Sequence, residues 1–308
     1  MKWIITGGTG MIGRELAANL VEDGQDVIIV SRNPAAKKAL LPPQAHLEAW
    51  DGETTEGWGH LIDGADVVVN MAGERIAGPN PFTLRWTEAR KRRICDSRAN
   101  AGKAVTQAIE AATRKPAVVV QFSGADYYSP TVEHATEETP AGEGFLSIVC
   151  SECWESSTES LETLGVRRIV TRISPVLHPK DGALPPLVLQ SKLFVGGPLG
   201  SGKQSFSWVH IDDLIRAIRF LVDSPHAGGA FNVTAPNPLT NGEFVRVLGK
   251  VLGRPSFVPV PGFVLRLLFG EMASTLLEGP RVYPERLQEL GFTFKFPEAE
   301  AALKDLLK

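Results

Sequence analysis

A chain of 308 residues, 43% hydrophobic and 22% charged, can bury a substantial core in one elaborated α/β domain or in two. Its net charge of −3 argues against nucleic acid or an anionic membrane as a partner. No apolar run reaches the ~18 residues a membrane helix needs, and the N-terminus enters a core-strand pattern at once, so a cytoplasmic protein is expected.

The first thirteen residues, MKWIITGGTGMIG, read as strand, glycine turn and helix. The apolar run Trp3 to Thr6 leads into Gly7, Gly10 and Gly13, and then into an amphipathic pattern carrying Leu16, Leu20 and Val21. In such a turn one glycine permits the sharp bend, one lets backbone N–H groups reach a pyrophosphate, and one lets the helix pack against the strand. The phosphates then lie at the positive end of the helix dipole. The position between a strand and a helix separates this turn from a tight loop that binds nothing.

A second strand, Asp26 to Ser31, ends at Ser31-Arg32-Asn33-Pro34. An acid there would accept from the ribose 2′-OH of NAD, whereas Arg32 can pair with the 2′-phosphate of NADP. Asp26 lies at the wrong end of the strand to substitute, so NADP is expected over NAD. A third strand runs from His46 to Trp50 and is followed by Asp51. A fourth, within Ala65 to Glu74, is apolar from Val67 to Val69 and ends in the small residues Ala72 and Gly73, as a central parallel strand flanking a cofactor would.

From Phe82 to Ala112 the pattern is helical, with the basic residues Arg90, Lys91, Arg92, Arg93 and Arg98 expected on a solvated face, the alternative being that Arg90, Lys91 and Arg98 turn toward an anionic substrate or cofactor. The strand Ala117 to Phe122 closes on Ser123-Gly124-Ala125-Asp126-Tyr127-Tyr128, a hydroxyl and two phenols at the strand end where chemistry collects in open parallel sheets. A helix from Phe145 to Leu164 and a sixth strand, Arg167 to Ile173, follow. Gly196 to Gly202 has no strand before it and reads as a turn. A helix from Leu214 to Val222, a strand from Ala230 to Val233 and a proline-punctuated remainder complete the chain. Cys95, Cys150 and Cys153 are too few and uneven for a disulfide framework, and Cys150 and Cys153 read as two cysteines on one helix face. The six histidines lack ligand spacing, so no metal is expected.

Together these pieces resemble the extended short-chain dehydrogenase/reductases, and more closely their epimerase-family branch, the family 39U proteins and their bacterial relatives. TGGTGMIG, VSRNP, NMAGE, RWTEARKRRICDSR, SGADYYSP, GGPLGSGKQSFSWVHIDDL and LLEGPRVYPERLQELGF carry the likeness over the whole chain. It implies a doubly wound parallel Rossmann sheet over residues 1–174, with 208–235 returning to it. The segments 175–207 and 236–308 would form a smaller C-terminal substrate lobe. It further implies NADP contacts from Gly7, Thr9, Gly10, Met11, Ile12, Gly13, Ser31, Arg32, Asp51, Met71, Ala72, Gly73, Glu74, Ser123, Ser174 and Pro175. A small-molecule substrate would lie between sheet and lobe, and a homodimer would form through the long helices after strands four and five.

Catalysis carries over less directly. The superfamily uses a Tyr-x-x-x-Lys pair, but four residues beyond Tyr127, Tyr128 and Tyr283 stand Thr131, Val132 and Leu287. Aligning Glu155 with a later family glutamate leaves Ser147 and Ser151 in place of tyrosine and lysine. Ser123, Tyr127 and Tyr128 are therefore the catalytic candidates, and His210 with Asp212 reads as a lobe-junction feature. Two functions remain: an NADP-dependent oxidoreductase or epimerase-like enzyme, and a non-catalytic NADP(H)-binding redox sensor.

Overall fold

The computed structural model describes residues 1–78 and 85–308. In chain order it runs β1 (Lys2–Thr6), α1 (Met11–Glu22), β2 (Asp26–Ser31), α2 (Pro34–Lys37), β3 (His46–Ala49), β4 (Val67–Asn70), α3 (Glu88–Ala111) and β5 (Val118–Gly124). The next helical stretch begins as α4 (Phe145–Ile148), widens to π pitch over Val149–Glu155 and tightens to 3₁₀ pitch over Ser156–Leu164. Then come β6 (Arg167–Ile173), β7 (Val176–Leu177), α5 (Leu184–Lys192), β8 (Ser205–Phe206), β9 (Val209–His210), α6 (Ile211–Asp223), β10 (Gly229–Val233) and β11 (Leu239–Thr240). Five helices end the chain: α7 (Asn241–Leu252), α8 (Gly262–Phe269), α9 (Ser274–Leu277), α10 (Glu285–Glu289) and α11 (Ala299–Leu306).

Seven strands form one parallel sheet in the order β3-β2-β1-β4-β5-β6-β10. Both faces are covered, which is why β1, β4 and β5 are apolar at nearly every position. Alternation sends Trp3, Ile5, Val67, Val69, Val118 and Val120 to a core shared with α1 and α6. Ile4, Val68 and Val119 go to a second core with Ala101, Ala104, Val105 and Ala108 of α3. This is the doubly wound arrangement expected. A third core of Leu184, Trp208, Phe244, Leu248, Phe296 and Leu303 joins α5, α7 and α11. Leu287, Phe292 and Phe294, from the segment assigned to the lobe, pack into the core beneath α6.

β1 sits where the winding reverses, because β2 lies on one side of it and β4 on the other. The crevice at the carboxyl ends of β1 and β4 is thus the place where such a sheet receives a ligand. Its width depends on missing side chains. A methyl on Gly7, which has φ +69°, would lie 2.9 Å from the Ala72 backbone, and one on Gly13 would lie 2.4 Å from Gly8 Cα. Beneath the crevice a buried polar chain ties three strand ends: Thr6 Oγ1 donates to Asn70 Oδ1 at 2.7 Å, and Asn70 Nδ2 donates to Gln121 Oε1 at 2.8 Å. No helix among the described residues is long and apolar enough to cross a membrane.

Three expectations change. The helix predicted from Phe82 starts at Glu88, capped by the Thr87 side chain, which accepts from the Arg90 N–H; Phe82 itself lies outside the described residues. Arg90 and Arg98 are each only 4% exposed, so the basic run is not a uniformly solvated face; Arg92 and Arg93 alone behave as expected. Cys95 and Cys153 form a disulfide, Cα to Cα 5.3 Å, because α3 packs beside the π-pitched stretch, a tertiary contact that spacing along the chain does not show.

Gly13→Ala should cost about 1–3 kcal/mol or more through overpacking against Gly8. Gly24→Ala, at φ +70° with nothing within 4 Å, should cost only about 1 kcal/mol of backbone strain. Denaturant unfolding of the two variants checks the contrast.

Candidate functional site

The crevice opens into a cleft of about 480 Å³ lined by Gly7, Thr9, Gly10, Ser31, Arg32 and Asp51 on one side and by Met71, Ala72, Gly73 and Glu74 on the other. These ten expected cofactor residues are brought together. Gly10 is the N-cap of α1 and supplies no side-chain cap, so the first-turn N–H groups of Met11, Ile12 and Gly13 are free to meet an anion. Met11, Ile12 and Gly13 do not line the cleft themselves, and neither do Ser123, Ser174 or Pro175. Among the described residues the Ser174 hydroxyl, buried at the end of β6, has no partner.

At the β2 end Arg32 lies across Gly52, where a methyl would meet its Cδ at 3.3 Å. Lys37, Gly52, Glu53, Arg75 and Ser97 also line the cleft and were missed by the sequence reading. Lys37 could have been found, since it sits three residues after the SRNP turn and α2 brings it back beside Arg32. Among the described residues, neither cation has an ion-pair partner. The Asp51 carboxylate is occupied: it accepts from the N–H groups of Glu53 and Thr54 and from the Thr54 hydroxyl at 2.6 Å, which holds it below the usual aspartate range.

The loop after β4 is pinned from α3. The Glu74 N–H donates to Ser97 Oγ at 2.9 Å, Arg98 Nη1 donates to the Glu74 carbonyl at 3.1 Å, and Arg90 Nη1 lies 3.6 Å from Glu74 Oε1. The two arginines are buried for this reason, and the free Cys150 thiol beside them is pushed up to about 12 by burial and by Asp126.

The β5 end is a second buried network. Ser123 Oγ donates to Glu155 Oε1 at 2.7 Å, and Arg172 holds both oxygens of Glu155 at 3.0 Å. Arg172 also donates to the Tyr128 hydroxyl at 3.1 Å, which in turn donates to Asn232 Oδ1 at 2.7 Å. Tyr128 is 1% exposed, and burial pushes its phenol up to about 12. The hydroxyl of this catalytic candidate is thus committed to partners on β6 and β10. Tyr127 is half-buried with its ring 3.4 Å from the Arg172 Cζ, and its hydroxyl has no hydrogen-bond partner among the described residues. Ser147 and Ser151 donate to the carbonyls of Asp126 and Ser147 respectively, so neither stands in for the absent pair. His210 caps α6 through Nδ1 and stacks on Phe296, a junction role, and burial lowers its pKa.

Tyr128→Phe should cost about 1–3 kcal/mol by stranding Asn232 and Arg172, read by denaturant unfolding. Burial pushes Asp126 up to about 6 from 3.8 against the pull of Arg98. A carboxyl raised in the fold binds its proton more tightly there than in the unfolded chain, so stability falls as pH rises from about 4 through about 6. Asp126→Asn should therefore raise stability by up to about 3 kcal/mol at pH 8, and the gain should vanish near pH 4 in unfolding curves taken across that range.

Residues 3–146 match the NAD dependent epimerase/dehydratase family, and residues 260–306 match a domain of unknown function, DUF1731. The epimerase family protein SDR39U1 of Mus musculus is 35% identical over all of both chains. A chloroplastic SDR39U1 homolog of Arabidopsis thaliana is 36% identical over 99% of this chain and 86% of its own. The crystal structure of human SDR39U1 with NADPH superposes with a TM-score of 0.86 at 33% identity, covering 99% of each chain. UDP-N-acetylglucosamine 4-epimerase from Bacillus cereus, TM-score 0.75 at 15% identity, shares the fold alone. With full-length relatives above 30% identity and a crevice built as the glycine turn requires, this chain belongs to the SDR39U1-type epimerase family.

Proposed function

We propose that this protein binds NADP(H) in preference to NAD(H) and uses it as an oxidoreductase or epimerase-like enzyme on a small carbonyl or alcohol. The observation that carries the cofactor choice is the pair Arg32 and Lys37 at the β2 end, without an acid on that strand end. A 2′-phosphate there meets two cations, whereas the acids of the same cleft, Asp51 and Glu53, follow β3 rather than β2, and the Asp51 carboxylate is already held by Thr54. The NADPH in the human SDR39U1 structure supports the same choice.

In this reading the N-terminus of α1 and the glycine turn take the pyrophosphate, Arg32 and Lys37 take the 2′-phosphate, and Ala72, Gly73 and Glu74 form the wall toward the reacting end. The bound cofactor supplies or accepts hydride. Ser174 and Pro175 stand at the carboxyl end of β6, and the orphaned Ser174 hydroxyl is a donor for the cofactor's amide end. Ser123 acts through Glu155 as a positioning residue, because its proton is already donated. Tyr127 keeps an uncommitted hydroxyl at the same strand end and assists there.

A second reading has a specific observation behind it. The hydroxyls of Ser123, Tyr128, Ser147 and Ser151 are all committed within the protein, as suits a binder that reports cofactor occupancy without turnover.

Parallel titrations of the cofactor-stripped protein with NADPH and NADH, followed by nicotinamide fluorescence and thermal shift, test the reading. NADPH should bind more tightly, and Arg32→Ala should weaken it about 10- to 100-fold while leaving NADH within about 2-fold, as loss of a charge-assisted contact implies. Equal affinity for both cofactors would remove the 2′-phosphate assignment, and binding of neither would remove the function.

A further inference from the structure

Building on the NADP(H) reading above, we propose that Asp126 and Arg98 form the proton-transfer couple of this site, with Arg98 holding a substrate carbonyl oxygen and Asp126 giving it its proton. The couple would stand in for the missing Tyr-x-x-x-Lys pair.

Position is the first argument. Arg98 projects from α3 against the wall of the cofactor cleft: a methyl on Gly73 would lie 3.0 Å from its Cζ. Gly73 follows β4, on the side of the switch point away from Arg32 and Lys37, and so borders the reacting half of a dinucleotide laid across β1. Asp126 follows β5, the next strand in the sheet.

The second argument is the state of the two groups. Arg98 is only 4% exposed, yet among the described residues its Nε has no hydrogen-bond partner; its Nη1 donates to the Glu74 and Ile94 carbonyls and its face lies on the Trp154 ring. A guanidinium buried this deeply normally spends its donors on a carboxylate or phosphate. The Asp126 carboxylate is half-buried, and among the described residues no side chain or backbone group donates to it; only its main-chain carbonyl is used, by Ser147.

Other groups around the couple are accounted for. Glu74 accompanies Arg98 from the β4 loop, while Cys150 faces the couple from the helical stretch after β5, with Glu155 beyond it. The Cys150 thiol stays protonated, and Glu155 is held by Ser123 and Arg172. Burial lifts Asp126 to about 6, where a carboxyl can both give and recover a proton near neutrality. On reduction, a carbonyl carbon gains hydride from the reduced cofactor, its π electrons move to oxygen, and that oxygen takes the Asp126 proton. Water then returns a proton to the carboxylate. Alcohol oxidation runs the same transfers in reverse.

The test follows the Asp126 carboxyl by carbon NMR on protein labelled at aspartate Cγ, with Asp126→Asn identifying the signal. Spectra are taken across pH 4–8 with saturating NADPH and then NADP⁺. The couple requires a midpoint near 6 with NADPH that falls by half a unit or more with NADP⁺, whose nicotinamide is positively charged, and that rises in Arg98→Met. Asp126→Asn should bind NADPH within about 2-fold of the parent and should lose at least 10-fold in NADPH oxidation with 9,10-phenanthrenequinone as a probe carbonyl. The same midpoint with both bound cofactors, or an ordinary aspartate titration near 4, overturns the proposal while leaving NADP(H) binding intact. Binding of neither cofactor would instead be a failure of the reading on which the proposal rests.

Discussion

The architecture of the site turns on backbone approaching backbone where no Cβ fits. Gly7 against Ala72 closes the gap between the turn after β1 and the turn after β4, and Gly13 against Gly8 draws α1 down onto the turn it follows. These contacts aim the open N-terminus of α1 into the crevice. Every other feature of the cleft is placed relative to that helix end, because the chain winds outward from β1 in both directions, to β2 on one side and to β4 on the other.

Beyond the crevice the protein has rebuilt the end of β5 around charge. Arg172, on β6, is buried among two tyrosine rings and the Glu155 carboxylate; desolvation pulls its pKa down, and Glu155 and Tyr128 together hold it above the ordinary arginine value. Such a pair is costly to break from either side, since the survivor is left buried and uncompensated. It draws in Ser123, Tyr128 and Asn232 and so commits the Ser123 and Tyr128 hydroxyls. The stretch that carries Glu155 has π pitch, which often marks functional positions in helices. The disulfide to Cys95 fastens this stretch, which carries Trp154 and Glu155, to α3, which carries Arg98.

Much of the fold was legible from periodicity and glycine placement. Apolar runs without alternation marked buried parallel strands, and β6 was bounded correctly at Arg167 and Ile173 because its neighbours are a turn glycine and a Ser-Pro. The cleft was legible for the same reason: its lining comes from short contiguous runs, the glycine turn after β1 and the ends of β2 and β4. Lys37 escaped because it reaches Arg32 only through the short turn of α2.

What the sequence alone determined is therefore local: a glycine turn feeding a helix, an arginine where an acid would select NAD, and strands that must be covered on both faces. Only tertiary structure decided which polar groups are spent and which are spare. Arg90 and Arg98 read as solvated on a helix whose charges look uniform, until packing against the β4 loop buried them. Tyr127 and Tyr128 are adjacent in sequence, yet the Tyr128 hydroxyl is locked into Asn232 and the Tyr127 hydroxyl has no partner among the described residues, because successive side chains leave a turn in different directions. Cys95 and Cys153 are 58 residues apart and meet because α3 and the stretch after β5 cover the same face of the sheet. Hydrogen-bond partners and burial are properties of distant residues brought into contact, and no local pattern carries them.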